Sequence, residues 1–388
     1  KKPVTECIKG TVKTIMGFVI LGAGAGLVVS SLGDFANIFQ HAFGIQGVVP
    51  NNEAIVSVAQ KSFGKEMAMI MFFAMVINIM IARFTPWKFI FLTGHHTLFM
   101  SMMVAVILAT AGMTGITLIA VGSLVVGVAM VFFPAIAHPY MKKVTGSDDV
   151  AIGHFSTLSY VLAGFIGSKF GNKEHSTEDM NVPKSLLFLR DTPVAISFTM
   201  SIIFLVTCLF AGADAVKELS GGKNWFMFSI MQSITFAAGV YIILQGVRMV
   251  IAEIVPAFKG ISDKLVPNAR PALDCPVVFP YAPNAVLVGF LSSFAAGLIG
   301  MFTLYLLNMI VIIPGVVPHF FVGAAAGVFG NATGGRRGAI LGAFAQGLLI
   351  TFLPVFLLPV LGDIGFANTT FSDADFGALG ILLGIIVR

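Results

Sequence analysis

"SMMVAVILATAGMTGITLIAVGSLVVGVAMVFFPAIA", residues 101–137, carries no charged side chain from end to end. A helix needs ~20 apolar residues to cross the ~30 Å hydrocarbon core of a bilayer, so this run holds material for about two spans. Outer-membrane strands would instead alternate apolar and polar residues over segments of roughly ten. The unbroken run selects helices. Composition agrees: of 388 residues, 57% are hydrophobic and 11% are charged, against about 25% charged in a soluble domain. The fold class is an all-α polytopic membrane protein whose solvent is the lipid bilayer.

Working outward, apolar segments fall near 12–32, 67–82, 98–112, 115–137, 151–166, 193–211, 225–255, 285–307, 339–361 and 376–387. About ten to eleven spans are expected. Two polar stretches interrupt them, 33–65 and 167–192, and the second carries charges of both signs. It reads as a linker between a first half, 1–166, and a second half, 193–388. Residues 91–102 lie opposite 279–290, and 151–162 opposite 340–351, at nearly equal offsets. If each half holds about five membrane elements, an odd number, the second half enters from the other side. That makes an inverted repeat, as in many transporters.

The net charge of +5 reflects lysines and arginines flanking helix ends. No basic stripe interleaves with aromatics, so no nucleic-acid partner is expected. Cys7, Cys208 and Cys275 are scattered without a CxxC pair, which leaves disulfide and zinc frameworks unsupported. No HExxH and no i,i+4 histidine pair occurs, so no metal or cofactor is expected. The opening "KKPVTECIKG" is not a signal peptide, and both ends read as a chain entered and left partway.

The segment "PNARPALDCPVVFPYAP" (267–283) holds five prolines. Each internal proline removes a backbone hydrogen bond and clashes one turn back, so no continuous helix survives. Non-helical backbone at membrane depth is tolerated only inside protein or along a wet cavity. A re-entrant hairpin over 267–284, carrying Asp274, is expected. Its counterpart is 85–100, "TPWKFIFLTGHHTLFM", where Pro86 and then Thr93-Gly94 break the run before His95. Paired breaks in two halves are the best pointer to a transporter's solute site.

Ionisable residues inside the membrane are costly and functional by default. His95, His154 (after Gly153) and Asp274 are therefore the candidate solute-binding residues. Asp274 also suits a cap for the half-helix opening at Pro276. His96 sits about 100° further round a helix, so His95 is expected to face inward, while His96 is left open between the cavity and the packing. "LGAGAG" (21–26) is read as helix packing through Gly22 and Gly26, with backbone at Gly24-Ala25 free to line the site. Arg248 and Glu253, five apart on a helix, are each expected to find a partner elsewhere or reach an interface, a structural role. No nucleophile–base or metal motif suggests an enzyme. An ion-coupled secondary transporter, with Asp274 and the histidines relaying protons, is the rival reading.

"KGTVKTIMGFVILGAGAG", "FLTGHHTLFM", "IGH" (152–154), "LQGVRM" (244–249), "AFKGISDKLVPNARPALDCPVV" and "YAPNAVLVGF" together resemble the membrane (IIC) component of the ascorbate-type phosphotransferase system. The resemblance runs over nearly the whole chain. It implies a dimeric permease of the bacterial inner membrane with about eleven helices. A core transport domain would form from hairpins 85–100 and 267–284 with neighbouring helices, and the remaining helices would carry the dimer interface. It further implies L-ascorbate as solute, phosphorylated by a IIB partner that is charged through IIA, HPr and phosphoenolpyruvate. His95, His154 and Asp274 take the family's solute-site positions, and Asn52 and Glu53 its approaching loop. Ala25 and His96 join the expected set. Phe99 and Phe155 stand where members carry glutamine.

Overall fold

Six short strands, each ending where a helix begins, organise the molecule. The computed structural model describes residues 3–387 except 46, 181–184, 186, 187, 190 and 363–368. The first half runs α1 (Val4–Phe43), β1 (Gly47–Pro50), α2 (Asn52–Phe84), β2 (Phe89–Phe91), α3 (Gly94–Thr110), α4 (Gly115–Thr145), β3 (Ala151–Ile152) and α5 (Thr157–Phe170). The second half opens with α6 (Thr192–Ala211), α7 (Ala213–Leu219), α8 (Trp225–Leu265), β4 (Arg270–Leu273) and the 3₁₀ segment Cys275–Tyr281. It continues with α9 (Pro283–Leu306), β5 (Val311–Ile312), α10 (Val316–Leu361), β6 (Thr369–Thr370) and α11 (Ala374–Val387).

The strands form two parallel three-stranded sheets, β5-β1-β6 and β2-β4-β3. Because all strands in a sheet point the same way, each sheet launches three helices side by side. Their N-termini carry N–H groups with no partner in the helix and a partial positive charge. The strands themselves are only two to four residues long. They satisfy backbone groups where prolines and turns forbid helix, which is what buried non-helical backbone requires.

Helices pack in two bundles. α1 lies along α8, with α6 against both; α9, α10 and α5 pack together, and α2 packs on α3 and α4. Gly24 of α1, rather than Gly26, meets α8: a Cβ there would lie 2.7 Å from the Gly239 carbonyl oxygen, whereas one at Gly26 meets nothing within 4 Å. Gly22 and the Ala25 side chain lie outside the described residues.

Among the described residues, six helices are long and apolar enough to cross a membrane: α2, α4, most of α6, the first part of α8, α9 and α10. Ten to eleven membrane elements were expected, and several of the remaining helices are short. Breaks cut α3, α5 and α11 to 17, 14 and 14 residues, below the ~20 that crossing needs. α10, by contrast, runs 46 residues through non-helical backbone at Gly334 and Gly335. Gly335 has φ +59°, and a Cβ there would lie 2.2 Å from the carbonyl oxygens of Asn172 and His175, so only glycine fits.

The polar stretch 167–192 is not simply a solvated linker. Its first residues complete α5, and Thr177 is fully buried. Glu178 accepts the Asn284 and Ala285 N–H groups, at 2.9 and 3.1 Å, and so caps α9. At the far end of the β2-β4-β3 sheet, Asp148 gathers Lys142 (2.8 Å), His138 (2.7 Å) and Arg270 of β4. The Lys142 ammonium, the His138 ring and the Arg270 guanidinium hold the Asp148 carboxyl well below the usual carboxylate range.

Candidate functional site

A cavity of about 180 Å³ lies where the two sheets face each other. The residues after every strand line it. From the β2-β4-β3 sheet come His95, His96 and Phe99, then His154, then Asp274 with Cys275 and Pro276. From the β5-β1-β6 sheet come Asn52 and Glu53, Val317 and Pro318, and Ser372 and Asp373. A second cavity, about 560 Å³ between α1, α6 and α9, is larger but is walled by groups such as Phe35, Phe39, Phe210, Phe294 and Met301. It offers almost no partner to a hydroxylated solute, whereas the smaller one is rich in them.

Asp274 is the centre of the first wall. Its Oδ2 lies 3.4 Å from His95 Nε2, and its Oδ1 lies 3.9 Å from His154 Nε2. Oδ1 also accepts the Cys275 N–H at 2.7 Å. The carboxylate therefore caps the 3₁₀ segment and faces the cavity at once. Behind it, Tyr160 Oη lies 2.8 Å from His154 Nδ1 and fixes that ring. Gly153 makes this possible: a Cβ there would sit 2.4 Å from the Ala272 carbonyl oxygen and push β3 off β4.

His96, which the helical spacing left open, faces the cavity as His95 does. It is buried and lines the cavity, with its ring centroid 3.8 Å from that of His154. The reason is position: α3 begins at Gly94, so both histidines stand in its first turn, and a cavity at a helix end reaches more than one face. The break falls at Thr93 (φ −81°, ψ 85°), while Gly94 already belongs to the helix. The Phe155 N–H donates to His96 Nδ1 at 3.3 Å. In the neutral ring the proton then sits on Nε2, which makes His96 a donor.

Phe99 lines the cavity. Phe155 does not; it is fully buried and stacks on Phe91 with centroids 4.6 Å apart. Its side chain packs the core, and only its backbone serves the site. The Ala25 side chain lies outside the described residues.

The second wall is tied internally. The Asn52 side chain donates to Asp373 and accepts the Ser372 N–H at 2.9 Å. Asp373 also accepts from Ser156 Oγ at 3.0 Å. Two residues on, Asp375 accepts the Thr157 and Leu158 N–H groups at 2.8 and 2.9 Å, together with the Thr157 hydroxyl. Asp375 thereby caps α5 from the first turn of α11, binding that helix to the stretch that carries His154. Glu53 is buried in the first turn of α2.

Two groups of donors lie close enough together to hold a metal ion: His95, His96 and Asp274, and His154, Asp274 and Cys275, with ligand atoms within 4.8 Å in each. Spacing along the sequence concealed both, since strands far apart in the chain assemble them. The same atoms form a hydrogen-bonding wall of rings and a carboxylate, suited to a small solute with several oxygens.

Residues 1–375 match a family described as the PTS system sugar-specific permease component, EIIC-GAT. The chain belongs to this family. It is also 27% identical to the ascorbate-specific PTS system EIIC component of Mycoplasma pneumoniae, over 95% of this chain and 62% of that protein. It thus spans less than two thirds of that relative's length.

The sequence missed two contributors. "TTFSDADFG" (369–377) supplies Asp373 and Asp375, and its signal was two acids inside an apolar C-terminal region. Arg248, expected in a structural role, lines the cavity instead. Glu253 does have the expected partner, as Lys13 Nζ lies 3.3 Å away.

Proposed function

We propose that the chain is the membrane permease component of a phosphotransferase system and carries L-ascorbate into the bacterial cytoplasm for phosphorylation by a IIB partner, itself charged through IIA. The observation that carries this reading is the convergence of all six strand-to-helix breaks on one small polar cavity. A ring anion with a hydroxylated tail finds donors in His95, His96 and His154, and an acceptor in Asp274. Helix N-termini around it offset negative charge. The ascorbate-specific relative favours this solute within the family.

An inverted repeat supports transport by alternating access. The sheets have equivalent orders: β1 is central between β5 and β6, as β4 is between β2 and β3. On that correspondence Gly47, Phe89 and Ala151 match Arg270, Val311 and Thr369, and α1 matches α8. The pairing differs from the one the sequence offsets suggest, 91–102 with 279–290. Hairpins 85–100 and 267–284 with the helices beside them are the moving core, and two copies associate in the inner membrane through helices outside it.

Uptake by membrane vesicles tests the reading. With phosphoenolpyruvate and the soluble phosphorylating proteins inside, vesicles holding this chain should accumulate phosphorylated ascorbate. Accumulation of unmodified solute driven by a proton gradient alone would instead support the ion-coupled transporter.

A further inference from the structure

Three carboxylates line the cavity: Glu53, Asp274 and Asp373. A negatively charged solute entering such a site meets repulsion unless a cation stands with it, since like charges a few ångströms apart oppose each other strongly in low dielectric. Helix ends supply partial charges only. Among the described lining residues, the lysine or arginine is Arg248, and it comes from neither sheet. Arg248 reaches the cavity from α8, a turn beyond Leu244, which lines the same wall.

Its surroundings make the guanidinium available. Among the described residues it has no ion-pair or hydrogen-bond partner, and none of the three carboxylates stands within ion-pair distance of it. Glu253, the acid nearest in sequence on α8, is engaged by Lys13. Arg248 is exposed and stands two residues beyond the apolar span of α8, which ends at Gly246, so its charge is held at the mouth of the cavity rather than within the apolar span. Guanidinium groups present a planar fork of donors suited to oxyanions. Arg248 also belongs to the α1/α6/α8 bundle, opposite the bundle that holds the histidines.

We propose that Arg248 is the anion-recognising residue of this cavity, closing on the solute from α8 and selecting a small hydroxylated monoanion over a neutral polyol. The inference rests on the functional reading above only for its choice of ascorbate. The charge argument applies to any small oxyanion.

The test is binding to the purified full chain, wild type against Arg248→Gln and Arg248→Lys, with three probes: L-ascorbate, gluconate and galactitol. Thermal melting in the same detergent checks that each variant is folded. Arg248→Gln should weaken both anions by roughly tenfold to a hundredfold, the worth of a charge-assisted hydrogen bond, and leave galactitol within about twofold. Arg248→Lys should recover part of the loss, because the charge stays and the fork goes. Equal weakening of all three probes, or unchanged anion affinity, overturns the proposal. If the wild type ignores ascorbate yet binds gluconate through Arg248, the ascorbate reading fails and the Arg248 inference stands. A wild type that prefers galactitol, or binds none of the three, overturns it.

Discussion

The two sheets share a strand order and a parallel sense, yet they present different chemistry to the cavity between them. β2-β4-β3 is followed by His95, His96, His154 and Asp274, whose outward-facing atoms are open to the cavity. β5-β1-β6 is followed by Asn52, Asp373 and Asp375, whose oxygens are already taken by neighbouring backbone and hydroxyl groups. Two sheets of similar build form a contact wall and a holding wall. Polar residues at equivalent breaks therefore do not carry equivalent roles, and what decides the role is whether the protein itself has satisfied them.

That division makes opposite demands on mutants, and the largest effect belongs to the holding wall. Asp375→Ala strips partners from two buried N–H groups and a hydroxyl, at about 1–3 kcal/mol for each unsatisfied group. The expected result is a large loss of folded, monodisperse protein in detergent, alongside lost binding. A variant that melts like wild type would mean that the holding role is misassigned.

On the contact wall, Asp274→Asn should do the reverse. Loss of a charge-assisted bond costs about 1.5–3 kcal/mol of binding, a tenfold to hundredfold rise in Kd by calorimetry, while the amide oxygen still accepts the Cys275 N–H and melting changes little. Unchanged affinity would reduce Asp274 to a cap.

Phe99 and Phe155 sharpen the contrast within one sheet. Phe155→Gln buries an amide where a ring now stacks on Phe91, and should cost about 1–3 kcal/mol of stability. Phe99→Gln places its amide at the cavity, so it should shift solute affinity with a smaller effect on melting. The reverse pattern would exchange their roles.

The smallest effect concerns the Asp148 knot at the end of the contact sheet. Because its folded carboxyl titrates below the unfolded value of about 3.9, the knot's stabilisation is fully present above that value and fades as pH falls below it. Melting of wild type minus Asp148→Asn, followed from pH 7 downward, should be flat to about pH 5 and then narrow. A difference that grows on acidification would contradict the assignment.

Much of this was legible in the sequence, for definite reasons. Charge-free runs of helical length reported the membrane class, and prolines between 267 and 283 reported a break, because both act locally. His95, His154 and Asp274 stood out because ionisable groups are rare in apolar surroundings. The strands were hidden: two to four residues paired across as many as 320 positions leave no periodicity to read. Hence β1, β5 and β6, and with them Asp373 and Asp375, went unseen. His96 was left undecided because the 100° spacing treats α3 as a helix seen from the side, when the cavity sits at its end. Arg248 was misread because its surroundings come from distant strands rather than from its own helix.

Electron cryo-microscopy of the chain with L-ascorbate bound tests the solute's place most directly. Density is expected between Asp274 and the histidines on one side and Asn52 and Asp373 on the other, with the Arg248 guanidinium against it. Solute density in the apolar cavity between α1, α6 and α9, with the space between the two sheets filled only by water, would contradict it.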